Sequence, residues 1–426
     1  MSTLVDQLQA FATNVADGPE WARQLRERGA QAFSVSGLPT SRVEAWKYTP
    51  LNRRPIGPVG DSPAVTAGSL PASSKAIAGA VRVVVVDGAL AGIEGVLPNG
   101  LELVSLEQAI EADDGALAQW LAEPSADGAA DALVALNNAT LGAGLVLRVA
   151  SGVDAGRVAL EWRGVGGADA RLRNSRLCID LGEGASLSLV ESDGGEASAQ
   201  LDLNIVMQAR LAAGARLNHA RLQTTQEGTM QVARTHVEQA GQSSYQYDGL
   251  DIGAGLARHE LIVRLAGEGA KCALNGAYLP RGEAHVDYHL AVEHAAPGCT
   301  SEQFFRGVVD DRARAVFSGK VHVAPGADGT EAHQSNANLL LSADAEVDTK
   351  PELVIEADEV VASHGATVGQ LDDTALFYLR SRGLDEALAR EVLIGAFCRA
   401  AVDRAGDTAA RDLLATELSR YTGVEE

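Results

Sequence analysis

Residues Pro351–Gly383, PELVIEADEVVASHGATVGQLDDTALFYLRSRG, carry two hydrophobic periods, and the change from one to the other decides the fold. Leu353-Val354-Ile355 and Val360-Val361 are short apolar runs separated by Glu356, Asp358 and Glu359, the pattern of two short strands joined by an acidic turn. Strand character is expected to end at Val361. From Asp372 the period becomes helical. Asp372 suits an N-cap, Asp373 a first turn, Leu376 and Leu379 fall three apart, Arg380 and Arg382 suit the C-terminal dipole, and Gly383 suits a left-handed cap. A strand-rich domain therefore hands over to helices near residue 371.

Working back, glycine turns repeat at positions 184, 214, 241, 269, 298 and 326, so the spacings are 30, 27, 28, 29 and 28 residues. A near-constant period in this range marks a repeat architecture. Between the turns, polar and apolar residues alternate, as in Leu201–Val206 and His285–Leu290, so side chains of one parity face inward. The expectation is a mainly β fold, a parallel β-helix (β-solenoid) core over residues 145–371. Its coils bury their inner faces only by stacking, and the strand edges at its ends must be covered.

Helical regions flank this core. Residues 1–75 read as a helical N-terminal region (Leu4, Val5, Leu8, Phe11, then Trp21 and Leu25) followed by a Pro/Gly/Ser-rich linker from Arg53 to Lys75. Trp46-Lys47-Tyr48-Thr49-Pro50 carries two aromatics in a chain with 4% aromatic residues and is expected to anchor this region. Residues 76–144 read as a small α/β segment, with strands at Val83–Val86 and Leu101–Val104 and a helix over Leu106–Leu121 followed by a loop at 123–129. Residues 372–426 read as three short helices, too small to bury their apolar surface alone.

A net charge of -22, with 35 Lys and Arg against 57 Asp and Glu, argues against nucleic acid and anionic membranes and points to protein partners. No apolar run long enough to span a bilayer and no basic-then-apolar leader at the start imply a cytoplasmic protein. Cys178, Cys272, Cys299 and Cys398 lack metal-site spacing and read as buried thiols in a reducing compartment. No P-loop, nucleotide fingerprint or nucleophile elbow occurs, so ATP hydrolysis by this chain is not expected. His285, His289 and His294 form the densest histidine group, with Asp287 among them. On a strand, His285, Asp287 and His289 share one face about 7 Å apart, a weak metal candidate that would need ligands from a neighbouring coil.

The run SHGATVGQLDDTALFYLRSRGL (Ser363–Leu384), with TKPELVIEADEVV (Thr349–Val361) before it, resembles the C-terminal core of the SufB/SufD family of iron-sulfur cluster assembly proteins. SRVEAWKYTPL (Ser41–Leu51) resembles the N-terminal signature of the SufD branch. The resemblance implies a non-catalytic scaffold, pairing with SufB through the β-helix and with the SufC ATPase through the C-terminal helices, where Phe377, Tyr378, Leu379, Arg380 and Arg382 would make the contact. It places His364 at the SufB interface, close to a partner cysteine, where a transient iron-sulfur cluster forms. No cofactor is expected to be held permanently, and a homodimer is possible without SufB. Many relatives carry a cysteine two residues before this histidine, where Ala362 stands here. SufB carries one in the segment matching Gln334-Ser335-Asn336, where Ser335 stands here. Thiolate is the usual cluster ligand and imidazole its substitute, which leaves His364 as the ligand candidate. The alternatives are a SufB-like cluster-carrying scaffold, a metal-binding β-helix enzyme using the His285–His294 group, and a polysaccharide-acting β-helix enzyme.

Overall fold

Alternating stretches separated by tight corners reverse the chain between two facing sheets, and a computed structural model describes this for residues 18–53, 75–122, 131–164, 172–193, 202–224 and 228–423. The expected helix at Leu4–Phe11, most of the Arg53–Lys75 linker and the loop at 123–129 lie outside the described residues. Three strands come first, β1 (Ala80–Val86), β2 (Ala89–Glu94) and β3 (Leu101–Ser105). The coils begin with β4 (Gly144–Val149), β5 (Asp154–Arg163), β6 (Leu172–Leu181), β7 (Ser186–Asp193), β8 (Asp202–Leu211) and β9 (Arg216–Gln223). They continue through β10 (Met230–Gln239), β11 (Ser244–Asp251), β12 (Leu256–Leu265), β13 (Lys271–Tyr278) and β14 (His285–His294). The last are β15 (Thr300–Val309), β16 (Arg314–Val323), β17 (Thr330–Leu340), β18 (Glu346–Ile355) and β19 (Val360–Gly369).

From β4 onward, even strands lie in one sheet and odd strands in the other, each pairing in parallel with the strand one coil away. The result is a parallel β-solenoid of about seven turns. The strands of residues 76–144 continue both sheets: β1 and β2 end the odd sheet and β3 ends the even one, with antiparallel pairing at β1–β2 and β3–β4.

The glycine period reads the corners correctly but not every position within them. Gly184, Gly214, Gly269 and Gly298 take left-handed φ of 64 to 69°. At the third coil the left-handed residue is Gln242 (φ 57°), one beyond Gly241. Hydrogen bonds from Gly214 N to Gly241 O and from Gln242 N to Glu268 O nevertheless stack this corner on its neighbours. At the sixth, a longer turn puts Gly326 in the bend, while Gly329 takes the stacked position against Gly298, with Gly298 N bonded to Asp328 O.

The lumen holds the main core, from Val83, Leu160 and Leu189 through Tyr247 and Leu274 to Phe305 and Phe317. Helices cover the two outer faces. α1 (Glu20–Ser36), α2 (Leu106–Glu111), α3 (Gly115–Ala122) and α4 (Ala132–Ala139) lie on the even sheet, where Phe33, Trp46, Leu51 and Leu136 pack on Leu172, Met230 and Leu256. α5 (Asp373–Ser381), α6 (Glu386–Val402) and α7 (Thr408–Thr422) follow the solenoid. Ile394 and Cys398 of α6 and Leu414 and Leu418 of α7 pack on Leu222, Leu250, Ala277 and Val308 of the odd sheet. The C-terminal helices therefore share a core with the solenoid.

The aromatic anchor is a clamp. Trp46, 3% exposed, lies against the guanidinium of Arg258, 3.8 Å from its ring centre. Thr49 donates to Asp287, which also pairs with Arg258. Burying this ion pair is tolerable because each charge is met by further hydrogen bonds. All four cysteines are buried. Among the described residues no helix is long and apolar enough to cross a membrane.

Candidate functional site

β18 and β19 end the two sheets and pair only with β16 and β17, so each presents a strand edge with no partner among the described residues. Such an edge is a template for another chain unless covered. Val354, Ile355, Val361 and Val368 are exposed there.

His364 lies within β19. Strand structure does not stop at Val361, because backbone pairing with β17 continues to Gly369, and that pairing depends on a neighbour 30 residues upstream. His364 stands opposite Gln334, which stands opposite Gln303, Leu274 and Tyr247 in successive coils. It thus ends a column whose earlier members face the lumen, at the coil that no strand caps among the described residues. Ala362 is on the same face, two residues before, and packs near Ala332 and Val321. Ser335 is on the opposite face of β17 and accepts from Arg306 at 3.2 Å.

The chain has nine histidines. His219 meets Glu191 at 2.6 Å, His259 meets Asp251 at 2.8 Å, His322 meets Glu356 at 3.0 Å, and His333 meets Ser363 at 2.9 Å. His236 is also engaged. His364 is exposed and has no hydrogen-bond partner among the described residues.

The other histidine group does not converge. His285 and His289 share the outer face of β14, where His285 Nε2 lies 3.0 Å from Thr49 Oγ1 and His289 Nε2 lies 3.0 Å from Asp287 Oδ1. His294 points to the opposite face, with Nε2 2.8 Å from Ser301 Oγ, and burial pushes its pKa down to about 4. Among the described residues no three His, Cys, Asp or Glu side chains are grouped to hold a metal ion.

Three residues after β19, α5 begins with Asp372 accepting from Thr374 N at 2.8 Å. Leu376 is its only buried side chain. Phe377 is 73% and Tyr378 56% exposed. The Arg382 guanidinium lies over the Tyr378 ring at 5.2 Å, Arg380 meets Glu386 at 3.3 Å, and Leu379 is half-buried. An apolar, cation-flanked face thus stands beside the open end.

The SUF system FeS cluster assembly SufBD core domain matches residues 165–397, a span that includes Ser335, His364 and α5. The chain belongs to the SufB/SufD family. Within it the chain is of the SufD type, being 30% identical over 389 residues to the iron-sulfur cluster assembly protein SufD of Escherichia coli, across 90% of this chain and 88% of that one. It is also 36% identical over 237 residues to a SufBD family protein of Synechocystis, across 54% of this chain and 52% of the other. The SufB/SufD core contains every coil from β6 onward, so the family likeness and the solenoid coincide.

Sequence reading missed one buried feature inside that core. In the lumen Glu191 accepts from Trp162 Nε1 at 2.6 Å, meets Arg221 at 3.1 Å and His219, and is held down to about 2, Arg221 being the largest favourable cause against burial. Trp162 lies on β5, Glu191 on β7, and His219 and Arg221 two apart on β9, and only the coil register brings them together.

Proposed function

We propose that this chain is a non-catalytic scaffold subunit for iron-sulfur cluster assembly, joining a SufB-type chain at the open end of its solenoid and a SufC-type ATPase through α5. The observation that carries this reading is His364, exposed, unpartnered and on an unpaired edge strand. A histidine kept for the fold would have its polar atoms satisfied. A strand edge flanked by Val361 and Val368 fits a second β-helix added edge to edge, and a neutral imidazole at that seam can serve iron as a cluster ligand. The cluster is cargo, formed at the joint and passed on. Ala362 and Ser335 lack thiols, so the partner chain would supply sulfur ligands.

The test is His364→Ala in the full chain, co-purified with SufB and SufC homologues. The expected result is an unchanged melting temperature, an intact complex and reduced cluster loading, read by the absorbance of the bound cluster. His364→Cys should recover part of the loading, because a thiolate can replace imidazole as a ligand. Normal loading by the alanine variant in an intact complex would overturn the role of His364.

A further inference from the structure

On the outer face of the even sheet, away from the open end's lumen column, a slot of about 450 Å³ runs beneath the segment that carries Trp46. Two adjacent columns of outward side chains make its floor. One runs Arg234, Glu260, His289, Ser318, Lys350 across β10 to β18, and the other runs Ile262, Ala291, Lys320, Glu352. Val43, Ala45, Trp46 and Tyr48 form the roof. Lys350 Nζ, 3.1 Å from Glu44 Oε1, ties floor to roof at the mouth. A cavity of this size with an apolar middle and a few convergent polar groups has the features of a small-molecule site.

The charges around the slot are almost all accounted for. Arg234 pairs with Asp131 at 2.5 Å and Glu260 at 2.7 Å, Arg314 pairs with Asp348 at 2.5 Å, and Lys350 pairs with Glu44 and Glu352. Ser318 and Lys320 have no hydrogen-bond or ion-pair partner among the described residues. They share one face of β16, and Ser318 is the direct neighbour of His289 across the strand pair. His289 turns Nε2 toward the Asp287 carboxylate, 3.0 Å away, so Nδ1 is the ring nitrogen left to meet a ligand. The floor therefore offers an ammonium, a hydroxyl and a ring nitrogen within reach of one ligand head. Strand spacings of about 4.8 Å between neighbours and about 7 Å along the strand set that reach.

We infer that this slot binds an aromatic hydroxycarboxylate. Its carboxylate accepts from Lys320 and Ser318, its hydroxyl pairs with His289 Nδ1, and its ring lies over Ile262 and Ala291 beneath Val43 and Ala45. The hydroxyl is required because a plain carboxylate leaves the free imidazole nitrogen unused. The site is independent of the assembly role proposed above, since it lies on the other face of the other sheet from the His364 column.

Salicylate is the probe, titrated into the full-length chain and followed by its own fluorescence, with benzoate as the competitor lacking the hydroxyl. Salicylate is expected to bind saturably at one site, and benzoate to bind at least about tenfold more weakly, the equivalent of one good hydrogen bond. Lys320→Glu, at an exposed position, should weaken salicylate binding at least about tenfold without moving the melting temperature. Ala291→Trp should fill the slot and abolish binding. Absence of saturable binding, equal affinity for benzoate, or unchanged binding by Lys320→Glu would each overturn the assignment.

Discussion

At Gln242 the solenoid holds a side chain in a backbone region that the neighbouring corners reserve for glycine. The strain is partly relieved by Gln242 Nε2, 3.4 Å from Glu268 O. Left-handed backbone costs a non-glycine residue about 1–2 kcal/mol, and glycine gives back about half of that in unfolded-chain entropy. Gln242→Gly is therefore expected to stabilise the chain by about 0.5–1 kcal/mol, read as a rise in the denaturant midpoint at constant slope. His294 makes a second prediction. Its folded pKa of about 4 lies below the ordinary 6.5, so its neutral ring contributes stability above pH 6.5 that is lost as pH falls through 4. Between about pH 7 and about pH 5 this loss is on the order of 2 kcal/mol. His294→Gln keeps a hydrogen-bonding side chain but does not titrate, so its stability should fall less over that interval. Asp131 and Asp193, each pushed up to about 6 chiefly by burial, run the opposite way, so the difference between the two proteins at each pH is the measure. Single residues were the least legible in the sequence. Gly241 and Gln242 are adjacent, and only the stacking of the next coil decides which of them turns left-handed. The His285, Asp287 and His289 face was readable from strand parity, but its occupation by Thr49 and Arg258 was not.

Helices declared themselves through local chemistry. Asp372, Asp385 and Asp407 each accept a backbone N–H in the first turn, as their positions before apolar periods predict. Strand ends did not, because β19 is prolonged past Val361 by a partner that the local pattern does not contain. The small segment before the coils was legible as strands and helices but not as an extension of the two sheets. Sharing a core with β9, β11, β13 and β15 also changes how the C-terminal helices must be probed. Deleting residues 372–426 would uncover Leu222, Leu250, Ala277 and Val308, so loss of binding would be confounded with loss of fold. Phe377→Glu with Tyr378→Glu touches only exposed positions on α5. This double variant is expected to keep the melting temperature within about 2 °C and to abolish capture of a SufC homologue, measured by pull-down of the purified chain. Full retention of capture would move the ATPase contact off α5.

For the whole molecule, the repeat period and the alternation within it made the solenoid readable, since both are properties of the chain averaged over many coils. The location of its covers was not readable, because the apolar outer positions of β9 to β13 resemble any buried strand until the helices are seen upon them. Those covers reach most coils and meet the last one through the exposed Lys350–Glu44 pair on β18. The array behaves as a one-dimensional lattice with a splint on each side, and a coil bound to one neighbour alone has about half the restoring interface of a coil inside the stack. Amide exchange should therefore fall into a gradient, slow in β8 to β13 and fastest in β18 and β19, with the fast end slowed selectively when a partner chain is added. Uniform exchange along all the coils would contradict it. The end proposed to receive another protein is thus also the end expected to open first, so the molecule would meet that partner as a fraying thread rather than a finished wall.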